Sequence, residues 1–261
     1  ANVDAVIRNE AAFRLARIHF QKDQPEDALH ALERIHGKVP EAIRGDLEFL
    51  RANVYLALGR PADAVPVLTK LQGAQGLRGF AAYNLGIALL QAGHSPEALQ
   101  QLEQAGQIAS RDPATAAIRD KSNMVLGRMM LESARFDRAQ QSFDRVRLDG
   151  PYSNQALLSA GWADASAGNY ERALVPWRIL IDRDITDSAV QEARLALPFA
   201  YGKLNVYGRA ALLYGQALDS FGGELEKVNA SIRSIREGNF LMALVREEIH
   251  QDQNWVVRLR M

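Results

Sequence analysis

The chain has 261 residues, and its 31 Lys and Arg are balanced by 31 Asp and Glu, with five His and no Cys. A formal net charge of zero gives no reason to expect nucleic acid or an acidic membrane surface as a partner. The absence of Cys excludes disulfides, thiolate zinc sites and a cysteine nucleophile, and no apolar run reaches the roughly 18 residues of a membrane span.

Six segments along the chain share one pattern, in which a turn residue is followed by an Ala five positions later and a large apolar residue four after that. The Ala residues are Ala28, Ala64, Ala98, Ala139, Ala173 and Ala210, at spacings of 36, 34, 41, 34 and 37. The large residues are Leu32, Leu68, Leu102, Phe143, Trp177 and Tyr214. Twelve positions before each Ala lies Ala16, Ala52, Gly86, Gly127, Gly161 or Pro198.

This pattern predicts pairs of helices that lie very close together. Small residues in both columns let two backbones approach, and the large residue one turn later fills the space between one pair and the next. Gly59, Gly93 and Gly168 supply the permissive backbone of the turns, and Ser95 with Pro96 is typical of a helix start. Strand-like alternation is absent over any useful length. The fold class expected is therefore all-α.

A helix–turn–helix unit with a period near 34 residues resembles the tetratricopeptide repeat. The residues that carry the resemblance include Leu85-Gly86, Leu126-Gly127, Tyr55, Tyr201, Pro40 and Pro151. The resemblance implies a right-handed α-solenoid of about six repeats over residues 1–221. Their expected bounds are 9–42, 45–78, 79–112, 120–153, 154–187 and 191–224, and residues 222–261 would form a C-terminal capping helix region.

Two irregularities interrupt the repeat. The spacing of 41 includes an excess around 106–119, which predicts a longer link or longer helices between the third and fourth repeats. Beyond Tyr214, large apolar residues recur at alternating intervals of four and three, a coiled-coil-like seam. These residues are Leu218, Phe221, Leu225, Val228, Ile232 and Ile235. The seam favours one helix continuing to about Arg236. The alternative is a break at Gly222-Gly223 and a degenerate seventh repeat. A final helix at about 239–250, or self-association through the cap, would cover the seam.

No constellation of residues indicates catalysis. The five His lack metal-ligand spacing, and the Gly-rich segment 73–79 lacks the Lys-Ser/Thr of a phosphate loop. Asp164 stands in a column that is otherwise mostly large and apolar, and we expect it to bond to a neighbouring helix or to face solvent. The chain is therefore predicted to be no enzyme, with no metal and no cofactor.

The first helices of such repeats line a concave face, and in the family that face binds partner peptides. Eleven residues are expected there: Phe13, Arg17, Phe49, Asn53, Tyr83, Ile87, Met124, Arg128, Leu158, Trp162 and Phe199. Aromatic residues and Arg often dominate interface energy. Arg17, Asn53 and Arg128 would orient a bound segment. The alternative is that these side chains only pack between repeats.

The function expected is a non-enzymatic scaffold or adaptor that holds a protein or peptide segment, with no nucleic acid and no direct membrane insertion. The alternative is an accessory domain of a larger multi-domain enzyme or of a secretion or envelope machine. From the resemblance, cell-envelope assembly or enzyme recruitment is the expected setting, and the periplasm or envelope is favoured over the cytoplasm.

Overall fold

The computed structural model describes residues 4–74 and 76–238, and all the regular elements within these residues are helices. This confirms the all-α prediction. The helices form six consecutive pairs. The first helices are α1 (Ala5–Gln21), α3 (Glu41–Ala57), α5 (Arg78–Gln91), α7 (Pro113–Glu132), α9 (Ser153–Ser166) and α11 (Ser188–Lys203). The second helices are α2 (Pro25–Glu33), α4 (Pro61–Leu71), α6 (Ser95–Gly106), α8 (Phe136–Asp144), α10 (Tyr170–Ile181) and α12 (Tyr207–Arg236).

The turn inside each pair requires one residue with positive φ. Gly59, Gly93 and Gly168 fill this position with φ of 66°, 83° and 81°. The following residue then closes the turn, as where the Arg60 N–H donates to the Tyr55 carbonyl at 2.8 Å. This is the helix C-terminal geometry that favours Gly. The other three turns place Asp23, Ala134 and Asn205 at φ between 56° and 62°, so the same turn forms there without Gly.

Close packing within the pairs explains the two columns of small residues. A Cβ added at Gly86 would lie 2.6 Å from Leu102 Cγ and 3.3 Å from the Ala98 carbonyl oxygen. The predicted facing of Gly86 and Ala98 across one helix pair is thus confirmed. At Gly127 and Gly161, an added Cβ would overlap the rings of Phe143 and Trp177. In these three pairs, the large residue of the second helix occupies the space that a side chain at the glycine would fill.

The excess length between the third and fourth pairs goes into both a link and a helix. Residues 107–112 connect α6 to α7, and α7 has 20 residues. Buried polar side chains of α7 hold the loops beside it. Asn123 Nδ2 donates to the Gly106 carbonyl at 2.9 Å, and Arg147 Nε donates to Asp120 Oδ2 at 2.7 Å.

The described residues divide after Leu180 into two compact units. In the second unit, α11 packs against α12, and α12 runs for 30 residues without a break through Gly222 and Gly223. The structure therefore has the long helix that the apolar seam favours. At its end, Gly238 has φ of 76°, and its N–H donates to the Ile235 carbonyl. The expected final helix at 239–250 lies outside the described residues.

None of the helices within residues 4–74 and 76–238 combines the length and apolar character needed to cross a bilayer.

Candidate functional site

In the first unit, the first helices of neighbouring pairs contact one another directly. These contacts join α1 to α3, α3 to α5, α5 to α7, and α7 to α9. Each of α2, α4, α6 and α8 contacts the first helices on either side of it. One face of residues 4–180 is therefore formed by first helices alone, and we call it the first-helix face. Ten of the eleven residues expected to bind a partner are carried by these five helices.

Three of those ten residues belong to the hydrophobic core. Phe13 packs in the cluster that joins α1, α2 and α3. Tyr83 packs with residues of α5, α6 and α7, and Met124 with residues of α7, α8 and α9. All three side chains are at most 7% exposed. They support the first-helix face from beneath and offer a partner little surface.

The other apolar residues of the set keep part of their surface in solvent. Phe49, Ile87, Leu158 and Trp162 are half-buried. The Trp162 ring lies edge-on against Trp177 with ring centroids 5.0 Å apart, which fixes its orientation. Phe49 makes a similar contact with Phe80 at 6.4 Å. These rigid aromatic side chains lose little conformational entropy when something binds on them.

Polar residues of the face form one amide pair. Asn84 Nδ2 donates to Asn53 Oδ1 at 2.5 Å, which joins α5 to α3. Asn53 therefore already has one side-chain partner. The amide N–H groups of Asn53 could still donate to a backbone carbonyl of a bound segment.

Three cations stand among the apolar residues of this face. Arg17, Lys121 and Arg128 are exposed. Arg17 Cζ lies 6.0 Å from the centroid of the Phe13 ring, and Lys121 Nζ lies 5.2 Å from that of Tyr83. Within the described chain, none of the three has a carboxylate within 4.0 Å. The face therefore carries positive charge that the protein itself leaves uncompensated at close range.

The hydroxyl of Tyr83 is held in its neutral form. Burial, reinforced by the nearby Tyr152, raises the pKa of Tyr83 from 10.0 to about 12, and Arg128 acts in the opposite direction. A buried phenol costs free energy when it ionises, because the charge leaves water. Tyr83 is only 7% exposed, so it lies in a poorly hydrated part of the face, and Arg128 is close enough to act on it.

The eleventh residue, Phe199, belongs to the second unit. It lies on α11 and is 36% exposed, and Lys203 Nζ is 5.4 Å from its ring centroid. The structure thus places ten predicted residues on the helices of one face and describes Phe199 within a different unit. The expectation that all eleven bind one partner stays a prediction.

The comparisons with known proteins agree with this geometry. The tetratricopeptide repeat family matches residues 49–113 and 126–177. Over these two stretches the chain is similar to tetratricopeptide-repeat proteins. The two matched stretches cover helices α3 to α6 and the packed pairs α7–α8 and α9–α10 in whole or in part.

Solved structures of tetratricopeptide-type fold are similar to the chain. A crystal structure of MamA aligns with a TM-score of 0.53 at 17% identity, covering 67% of this chain and 91% of MamA. A double mutant of MamA from strain RS-1 aligns with a TM-score of 0.51 at 15% identity, covering 69% of this chain and 96% of that one. No curated protein matches the chain in sequence. At these identities the likeness concerns the fold.

Tetratricopeptide repeats, the family that matches, are typically non-catalytic modules that bind other proteins. The fold class and the general function expected from the sequence, a protein-interaction scaffold, agree with this match. The partner and the pathway are separate questions, since the same repeat is used with many partners.

Sequence analysis missed part of the site. Phe80, which contacts Phe49, and Tyr152, which acts on Tyr83, both extend the face. Phe80 lies three positions before Tyr83 on the same helix, so helical spacing would have found it. Tyr152 lies just outside α9, and no periodic signal indicates it.

Proposed function

We propose that the first unit is a scaffold that holds an apolar, acidic segment of a partner protein on its first-helix face. The observation that carries this proposal is the set of three exposed cations, Arg17, Lys121 and Arg128, that lack nearby carboxylates and lie among half-buried apolar side chains. Such a face matches a segment with apolar side chains and a few Asp or Glu.

The apolar part of binding would come from Ile87, Leu158, Trp162 and Phe49. Burying their remaining exposed surface gains about 25 cal/mol for each Å² of apolar area removed from water. Trp162 and Phe49 are already oriented by Trp177 and Phe80, so a partner does not pay to order them. An amphipathic helix or an extended peptide can supply apolar side chains at the required intervals.

The charged part of binding would determine which segments are accepted. Arg17 and Arg128 can each offer a planar guanidinium to a carboxylate or to backbone carbonyls. Charge complementarity of this kind raises the association rate and the specificity more than the affinity. A neutral segment would bind more weakly, and a strongly basic one would be rejected.

A peptide-library selection tests the proposal without knowledge of the natural partner. Twelve-residue peptides are displayed on phage and selected against the full chain, and the affinities of the enriched peptides are measured by calorimetry. We expect enrichment of peptides that combine Leu, Ile or Phe with Asp or Glu. The Arg128→Glu variant should lower their affinity about tenfold, because an attraction becomes a repulsion.

The matched control is Arg138→Glu, since Arg138 is equally exposed but lies on the second helix α8. This variant should bind the selected peptides as the parent does. Equal losses for both variants, or enrichment of basic peptides, would contradict the proposed function.

The cellular setting extends this proposal. We infer from the family resemblance that the scaffold works in cell-envelope assembly or in recruiting enzymes, in the periplasm or envelope. The alternative, an accessory domain of a larger enzyme or secretion machine, predicts that the chain is found fused to another domain. Fractionation of cells followed by immunoblotting for this chain would separate an envelope location from a cytoplasmic one and would show the size of the whole protein.

A further inference from the structure

A second surface of the first unit, separate from the first-helix face, contains a pocket. The pocket has a volume of about 440 Å³ and is lined by α8, the following loop, α9 and α10. Two of the four side chains that α9 offers to it, Ala156 and Ala160, are small, which leaves space between α8 and α10. Apolar side chains form most of the walls.

The polar end of this pocket contains two carboxylates and one guanidinium. Asp164 is buried, and its Oδ1 lies 3.2 Å from Arg172 Nε. Arg172 also donates to Gln140 Oε1. Asp144 lines the same pocket, and within the described chain its carboxylate forms no hydrogen bond or ion pair. The Arg172 guanidinium therefore forms an ion pair with Asp164 alone and acts on Asp144 only at longer range.

The local electrostatics favour a further positive charge. Asp144 is the last residue of α8, where the helix dipole adds partial negative charge. Asp137 also acts on Asp164. Burial raises the pKa of both Asp144 and Asp164, while Arg172 lowers it. Asp164 is only 4% exposed, so its charge interacts with neighbouring charges more strongly than a charge in open water would, whereas Asp144 is exposed.

Apolar surface continues outside the pocket. Leu148, Val175 and Ile179 line its mouth and are 59%, 60% and 43% exposed. A small molecule inside the pocket would leave this surface in water, whereas a protein segment would cover it. We propose that the pocket binds a lysine side chain of a partner protein, with its ammonium group at Asp144 and apolar neighbours of that lysine on the rim.

A lysine side chain fits both features of the pocket. Its four methylene groups can lie along the apolar walls while the ammonium reaches the carboxylate. The compact ammonium also needs no planar bidentate acceptor. This second surface does not depend on the first-helix face, and it selects basic apolar segments where that face selects acidic ones.

The test uses three synthetic tripeptides, each acetylated and amidated, with Leu at both ends and Lys, norleucine or Glu in the centre. Norleucine keeps the aliphatic stem of Lys and lacks the charge. Each peptide is titrated into the full chain, and chemical shifts of pocket residues are followed by NMR. We expect the Lys peptide to bind at least about fivefold more tightly than the norleucine peptide, and the Glu peptide to bind most weakly.

Two pairs of variants assign the effect to the pocket. Asp144→Asn should abolish the preference for Lys over norleucine, and Asp149→Asn, an exposed carboxylate outside the lining, should keep it. Val175→Ser should weaken the binding of both peptides about twofold, and Ile18→Ser, at another exposed apolar residue on α1, should not. All four substituted residues are exposed, so we expect the variants to fold as the parent does, and melting curves check this.

Three results would overturn this inference. They are shifts confined to residues outside the pocket, binding of the Glu peptide as strong as that of the Lys peptide, and a Lys preference that survives Asp144→Asn. None of them affects the first-helix face, so the two proposals fail separately.

Discussion

The third helix pair and the C-terminal half of α12 have similar apolar spacing and very different burial. Leu102 on α6 is fully buried, whereas Leu225 on α12 is 61% exposed. Gly86 lies against Leu102, while Gly222 has no neighbour among residues 4–74 and 76–238 within 4 Å of an added Cβ. Periodicity therefore identifies which side of a helix is apolar. What buries that side is packing against neighbouring helices, and in the third, fourth and fifth pairs the close approach depends on Gly86, Gly127 and Gly161.

The largest expected difference comes from placing a charge at each leucine. Leu102→Lys buries an ammonium among Ala82, Tyr83 and Ala105 without a partner, and we expect a loss of about 4 kcal/mol or more in unfolding free energy. Leu225→Lys, at an exposed position, should change it by less than about 0.5 kcal/mol. Urea denaturation followed by circular dichroism measures both.

The same pair of variants examines self-association through the seam. If copies of the chain pair along α12, Leu225→Lys should lower the weight-average mass in sedimentation equilibrium without changing stability. A large destabilisation by Leu225→Lys would show that the seam is a buried core and that the contrast with Leu102 is wrong.

The second prediction concerns glycine size. Gly161→Leu should destabilise the first unit by about 3 kcal/mol, since its side chain would overlap the fully buried Trp177. Gly222→Leu, the control within α12, should not destabilise, because the position is open and Leu favours helix. Equal decreases in melting temperature for both variants would contradict the predicted difference in packing between Gly161 and Gly222.

The third prediction uses the pH dependence of a buried tyrosine. The pKa of Tyr83 is about 12 in the folded chain and near 10.0 when unfolded. Neutral Tyr83 therefore adds its full contribution to the free energy of unfolding below pH 10, and that contribution is lost as the pH rises to 12. The loss should be about 2–3 kcal/mol. Tyr83→Phe should remove most of this alkaline dependence, whereas Tyr214→Phe, in exposed α12, should leave it unchanged. Parallel slopes for the parent and Tyr83→Phe between pH 10 and 12 would refute the assignment.

The smallest expected effect is a gain in stability rather than a loss. Gly222→Ala or Gly223→Ala should stabilise the second unit by up to about 1 kcal/mol each, since Ala costs a helix interior less than Gly. Both positions have room for the added methyl group. A decrease in thermal stability would mean that something outside the described residues packs against these glycines.

Much of the fold follows from the sequence because its signals are local and repeated. The Ala and Gly columns predict pairs such as Gly86 with Ala98, and the seam predicts a continuous helix through Gly222. The positive φ at Ala134 and Asn205 cannot be predicted from the sequence, since neither residue is Gly. The surrounding structure holds these residues in that conformation.

The site is harder to predict from the sequence than the fold. Helical spacing places Phe13, Tyr83 and Met124 on the first-helix face, and the structure shows that neighbouring helices bury them. Which member of an apolar stripe stays accessible depends on those neighbours. The pocket beside Asp164 depends on α8, α9 and α10 together, and no single motif encodes it.

Locating a selected acidic peptide on the scaffold tests most directly whether the first-helix face is the binding surface. A nitroxide label on the peptide broadens nearby methyl signals of the chain in NMR spectra. We expect broadening at Ile87 and Leu158 of the first-helix face, with Leu29 and Val67 of the second helices unaffected. Broadening at Leu29 and Val67, with Ile87 and Leu158 unchanged, would contradict it.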